Sequence, residues 1–181
     1  MSELNKITIH YTAGSYFPNQ HELQHYHFLI DKNGKIYKGK FKPEDNINCY
    51  DGKYAAHCGG GNTGNISIAV CGMMGFKNRH SVGKYPITYK QIEKCFELCA
   101  SLVLKYKIPI NRHSIFTHYE FGLSHPYTTS RGKIDIIHIP TKQHKHYNAS
   151  RVGDLIRNKV YWYFYQLKIS NKKILREVLE N

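Results

Sequence analysis

Six residues, Ile66 to Cys71 (ISIAVC), constrain the fold of this chain more than any other stretch. A largely apolar run of this length suits a strand buried on both faces, and such strands occur where helices cover the sheet. Other segments supply the partners. Lys6 to Tyr11 (KITIHY) alternates apolar and polar residues and reads as a short strand. Asn19 to His25 can form a short helix feeding a second strand, Tyr26 to Ile30. Asn33-Gly34 then predicts a type I′ hairpin, whose two central positions need positive φ, with Lys35 to Lys38 returning as the partner strand.

The clearest helix opens at Thr88, where Thr88 and Gln91 make a capping box. Behind it Ile92, Cys95, Phe96, Cys99, Leu102, Val103 and Tyr106 keep one face apolar, and Pro109 closes the segment. Ser114 to Thr117 is a short strand candidate, residues 119–133 read as loop, and a helical segment runs from about Val152. Strands alternating with helices predict an α/β fold, a single domain with a central mixed β-sheet flanked by helices. A chain of 181 residues suits one such domain, with residues 1–150 forming its body and 151–181 a helical extension packed on it through Leu155, Ile156, Val160, Tyr163 and Phe164.

Lys plus Arg exceed Asp plus Glu by 13, a field that attracts polyanions such as nucleic acid, anionic lipid or the phosphates and carboxylates of a bacterial wall. The lysines are scattered, without a dense basic run or interleaved aromatics, so no specific nucleic-acid site is expected. No stretch approaches the roughly 18 apolar residues of a membrane span, so no membrane insertion is expected. The N-terminus enters a strand without an apolar signal-like segment, which predicts synthesis in a cytoplasm and action on a cell wall only after release. Cys49, Cys58, Cys71, Cys95 and Cys99 are odd in number and read as free thiols, with Cys95 and Cys99 one helical turn apart in the core. A monomer is expected.

Three segments carry chemistry. His10 stands at the end of a strand, where a side chain can leave the sheet and face a cleft. His118 lies just past another strand. Lys133 and Asp135 lie two residues apart, hence on one face if extended. Two imidazoles and a carboxylate from separate segments make a three-ligand zinc site with the fourth position left to water, whose pKa such a site lowers to about 7. Twelve histidines leave alternatives open: His25 with His27, His144 with His146 in a lysine-rich stretch, and the residues His125 and His138.

The string His10-Tyr11-Thr12-Ala13-Gly14, then Tyr26 to Gly34, Ala56-His57 and Asn65 to Ala69, followed by Thr117-His118 and Lys133-x-Asp135, resembles the zinc-dependent N-acetylmuramoyl-L-alanine amidase family. That family includes phage lysozyme-type amidases, muropeptide-recycling amidases and animal peptidoglycan recognition proteins. The resemblance spans roughly residues 6 to 140. It implies Zn2+ as cofactor, held by His10, His118 and Asp135, and peptidoglycan or a muropeptide as substrate, cut between N-acetylmuramic acid and L-alanine. It further implies that Lys133 offsets the oxyanion, that Tyr26 orients the attacking water, and that His57 is a cleft histidine contacting substrate.

Two departures stand out. Some members carry a glutamate on the strand matching Ser67 to Val70, where this chain has Ala69 and Val70, so acid–base work falls to Tyr26. Asp135 is followed by Ile-Ile rather than the usual Pro-Gly. The alternative reading is a catalytically inactive peptidoglycan-binding protein of the same fold, for which keeping His10, His118, Lys133 and Asp135 together serves no physical need.

Overall fold

The computed structural model describes residues 3–142 and 147–179, with side chains through residue 170. Its centre is a five-stranded sheet in the order β3-β2-β4-β1-β5. The strands are β1 (Lys6–Tyr11), β2 (Phe28–Ile30), β3 (Ile36–Lys38), β4 (Asn65–Val70) and β5 (Ile115–Thr117). β1 runs parallel to β4 and to β5, β2 runs parallel to β4, and β3 alone is antiparallel. The sheet is therefore mixed, and β4 lies at its centre with every residue buried.

The helices are α1 (Gln20–His25), α2 (Tyr89–Tyr106), α3 (His118–Ser124) and α4 (Ala149–Leu179). The two-residue period of β1 points Ile7, Ile9 and Tyr11 into the main core with Ile66, Ile68 and Val70 of β4. Ile92, Cys95, Phe96 and Cys99 of α2 and Val152, Ile156 and Val160 of α4 close that core. α4 thus contributes Val152, Ile156 and Val160 to this core. Thr8 and His10 face the other way. There a smaller cluster of Cys58, Phe116 and Phe121 forms, with Gly61 of the glycine-rich loop 57–65 close against the Phe121 ring. All five cysteines are free thiols, and Cys95 and Cys99 are fully buried.

Two local expectations are corrected. Among residues 33 and 34 positive φ is confined to Gly34 (81°), so the hairpin is not type I′. The Asp31 carboxylate accepts from the backbone N–H groups of Asn33 and Lys35, which holds a longer loop with only its last residue left-handed. The stretch expected to be loop after position 118 begins with a helix. Thr117 caps it, accepting from the Glu120 N–H at 3.1 Å, while Glu120 accepts from the Thr117 N–H at 3.0 Å. The signal for this capping box, Thr-His-Tyr-Glu, stands in the sequence, and it outweighs the loop-like composition that follows.

Candidate metal centre

Parallel pairing of β1 with β5 sets Ile9 opposite Thr117, so the next residues on the two strands, His10 and His118, leave the sheet side by side. In open α/β sheets the carboxyl ends of parallel strands are where ligands bind. The capping box starts α3 at once after β5 and thereby fixes the backbone of His118. Asp135 reaches the same point from the loop after α3, and the N–H of Tyr119 approaches its carbonyl at 3.4 Å.

Three side-chain atoms converge. His10 Nδ1 lies 3.1 Å from His118 Nδ1 and 3.3 Å from Asp135 Oδ2, and His118 Nδ1 lies 3.1 Å from the same carboxylate oxygen. A tetrahedral zinc ion with bonds of about 2.0–2.1 Å sets its ligand atoms about 3.3 Å apart, so the triangle fits such an ion on spacing and on donor type. Among the described residues these three side chains form the group able to hold a metal. The imidazoles are buried and the Asp135 side chain is 14% exposed.

Burial, then the neighbouring His118, lowers the His10 pKa to about 4, against the pull of Asp135. Burial pushes the Asp135 carboxyl up, but the hydrogen bonds and charges of the two imidazoles bring it well below the usual carboxylate range. Near neutral pH His10 is therefore uncharged and Asp135 ionised, the states a metal requires of its ligands.

Both histidines of the cluster have partners behind them. His10 Nε2 is 3.1 Å from His57 Nδ1, and His57 Nε2 is 3.2 Å from the Asn65 carbonyl. His118 Nε2 is 3.2 Å from Ser130 Oγ, which donates to the Gly59 carbonyl at 2.9 Å. His57 is 7% exposed, so the structure brings it against His10 with both ring nitrogens engaged. Nothing in the sequence pointed to Ser130, which is fully buried.

Tyr26, half-buried at the end of α1, sets its ring 5.2 Å from that of His10. Burial, then the charge of Asp135, pushes its phenol well up, so it keeps its proton at neutral pH. Lys133 is exposed, and its ammonium is near enough to lower the His10 pKa. Ala69, the cross-strand partner of His10, is fully buried and brings no carboxylate.

The rival histidines are used elsewhere. His27 bonds Ser67 Oγ at 2.8 Å and Asn46 Oδ1 at 2.9 Å, and His25 bonds the Ala56 carbonyl at 3.1 Å. His125 stacks on Phe121 with ring centroids 3.9 Å apart. His138 stands outside the convergent group, and His144 and His146 lie outside the described residues.

The fold is that of an α/β domain, a mixed sheet with flanking helices, and it carries a histidine–histidine–aspartate cluster able to hold a metal beside the ends of β1 and β5. The profile of the N-acetylmuramoyl-L-alanine amidase family matches residues 1–138, and the chain belongs to that family. Among solved structures it is similar to the N-acetylmuramoyl-L-alanine amidase LysC from Clostridium intestinale URNW, at 21% identity over 65% of this chain and 71% of that one, with a TM-score of 0.45. It is also similar to the peptidoglycan recognition protein SD of Drosophila, at 20% identity over 71% of this chain and 76% of that one (TM-score 0.46). The Ph2119 endolysin from the Thermus scotoductus MAT2119 bacteriophage Ph2119 is 18% identical over 66% of this chain and 74% of that one (TM-score 0.47). No curated protein sequence matches. Among the described residues no helix is long and apolar enough to cross a membrane.

Proposed function

We propose that this chain is a zinc-dependent amidase that hydrolyses the bond between N-acetylmuramic acid and L-alanine in peptidoglycan or muropeptides. The observation that carries the reading is the convergence of His10 Nδ1, His118 Nδ1 and Asp135 Oδ2 within 3.1–3.3 Å of one another. Zinc held there supplies an activated water near neutral pH and a positive charge beside the scissile carbonyl.

The remaining chemistry belongs to the chain. Lys133, exposed beside the cluster, places its ammonium to offset negative charge growing on the lactyl carbonyl oxygen. Tyr26 keeps its phenolic proton, so it can donate to and accept from the attacking water, orienting it and passing its proton. With Ala69 on β4, no other acid–base group comes from that strand. The net charge of +13 draws the protein toward the anionic polymers of a wall. An inactive binder has no use for a carboxylate held between two buried imidazoles, which favours the enzyme.

The test is incubation of purified sacculi and of soluble muropeptides with zinc-loaded and chelator-treated protein, followed by detection of new L-alanine amino termini. Zinc-loaded protein is expected to release them from at least one substrate. Equal background release by both preparations on both substrates contradicts the proposal.

A further inference from the structure

We propose that the outer face of α4 is a docking surface for a lipid bilayer with anionic headgroups. The inference goes beyond the amidase reading and does not depend on it.

Val152, Ile156 and Val160 of α4 enter the main core, and Tyr163, Phe164 and Leu167 pack against it. At about 100° per residue these positions share one side of the helix. Tyr161, Trp162, Tyr165 and Ile169 fall within about a third of the circumference, on the opposite side. They are 60%, 54%, 55% and 46% exposed. The helix is therefore apolar on two sides, and the domain covers one of them. A contiguous exposed stripe of this kind marks an interaction surface, whereas single exposed apolar residues do not.

Charge and chemistry select the occupant. From Asn158 to Arg176 the chain carries Lys159, Lys168, Lys172, Lys173 and Arg176, and no aspartate or glutamate. Lys159 is engaged by Glu93 at 2.9 Å. Lys168, exposed beside Ile169, holds its ammonium 4.6 Å from the centre of the Phe164 ring. The cations call for an anionic partner and the stripe for an apolar one. A second copy of a chain with net charge +13 brings like charges together. A soluble wall polymer answers the lysines and leaves Trp162 and Ile169 in water. A single-stranded nucleic acid stacks its bases on rings in a basic groove, but the outside of a helix is a ridge and Ile169 has no ring. A bilayer surface answers both demands. Its anionic headgroups meet the lysines, while tyrosine and tryptophan, apolar rings with a polar edge, settle at headgroup level.

No described helix is long and apolar enough to cross a membrane, so α4 lies on the surface. Its core residues join the sheet on the face opposite Thr8 and His10, so a membrane on its outer side leaves the His10–His118–Asp135 cluster turned away from the lipid.

Trp162 is the sole tryptophan of the chain, and its fluorescence reports from within the stripe. The full chain is mixed with phosphatidylcholine vesicles, with and without phosphatidylglycerol, and binding is read by sedimentation. With phosphatidylglycerol present the protein should sediment with the vesicles. Trp162 emission should then shift to shorter wavelength, and lipid brominated in its acyl chains should quench it. Binding should weaken as salt is raised. Tyr165→Ser combined with Ile169→Ser alters two exposed positions and should weaken binding at least about tenfold, with thermal unfolding unchanged. Lys168→Gln should weaken it about fivefold. A chain that stays in the supernatant overturns the proposal, as does sedimentation with Trp162 unshifted and unquenched. So does a folded double variant that binds like the wild type. A Trp162 shift that follows protein concentration without lipid, with dimers in analytical ultracentrifugation, overturns it in favour of a second copy. A shift with single-stranded oligonucleotide but not with vesicles overturns it in favour of nucleic acid.

Discussion

Arg157 of α4 grips Glu120 of α3 with both arms of its guanidinium, Nη1 to Oε2 at 2.9 Å and Nη2 to Oε1 at 2.8 Å. Glu120 is the residue whose carboxylate closes the capping box at the start of α3, two residues after His118. Arg157 also donates to the Ile115 carbonyl on β5 at 2.8 Å. The C-terminal helix thus holds the corner at which β5 turns into the helix that presents a candidate ligand. Removing one partner of a fully buried pair costs about 3–5 kcal/mol, an upper bound here because Glu120 is partly exposed and keeps the Thr117 N–H. Arg157→Met should lose stability up to that bound in urea unfolding and weaken zinc binding. Arg112→Ala removes a pair with Asp154 in which Arg112 is 71% exposed, and should cost under about 1 kcal/mol. Equal effects of the two substitutions contradict this role for Arg157.

Tyr26 and Lys133 should separate chemistry from metal binding. Neither is placed as a ligand, so Tyr26→Phe and Lys133→Ala should keep full zinc content. Loss of an oxyanion partner should lower kcat about 100- to 1,000-fold for Lys133→Ala. Loss of an acid–base hydroxyl should lower it about 100- to 10,000-fold for Tyr26→Phe. Zinc content by elemental analysis beside steady-state rates decides it, and loss of zinc in either variant moves that residue into the ligand set.

Ile136, directly after Asp135, has φ of 64° and is fully buried. The left-handed conformation costs a non-glycine residue roughly 1–2 kcal/mol. Removing a buried isoleucine side chain costs about 2–5 kcal/mol. The lost packing exceeds the relieved strain, so Ile136→Gly should be less stable than the wild type in thermal or urea unfolding. A stabilised Ile136→Gly protein means that strain outweighs packing beside Asp135.

Much of the fold was legible because hydrophobic period and capping are local. The sequence pattern places β1 at Lys6–Tyr11 and starts α2 after Thr88, as the structure has them. Where a side chain redirected the backbone, the pattern misled: Asp31 bonding Asn33 and Lys35 lengthened the hairpin loop. The site was legible as three separate residues but not as a network. His10 and His118 become neighbours through the parallel register of β1 and β5, residues 108 apart in sequence. Ser130 gave no signal, since its contacts to His118 and Gly59 exist only once the loop after α3 folds back.

Acid should destabilise the fold through His27. Burial lowers its pKa to about 4, from an ordinary value of 6.5, with Asn46 pulling the other way. Between those values the unfolded chain takes up a proton that the folded chain refuses, so stability falls as pH drops through this window and is fully present above it. A shift of this size corresponds to about 3 kcal/mol. Urea unfolding of metal-free protein at pH 7.5, 5.5 and 4.5 (about the range in which histidines titrate) should show a steady decline. Unchanged stability across the series contradicts a buried, uncharged His27.

The proposed activity depends on zinc binding by His10, His118 and Asp135 together. Its most direct test is elemental analysis of purified, zinc-equilibrated wild type and of Asp135→Ala. The expected result is one zinc per wild-type chain and a strong loss in Asp135→Ala under the same dialysis. Full zinc occupancy in Asp135→Ala, or none in the wild type, contradicts it.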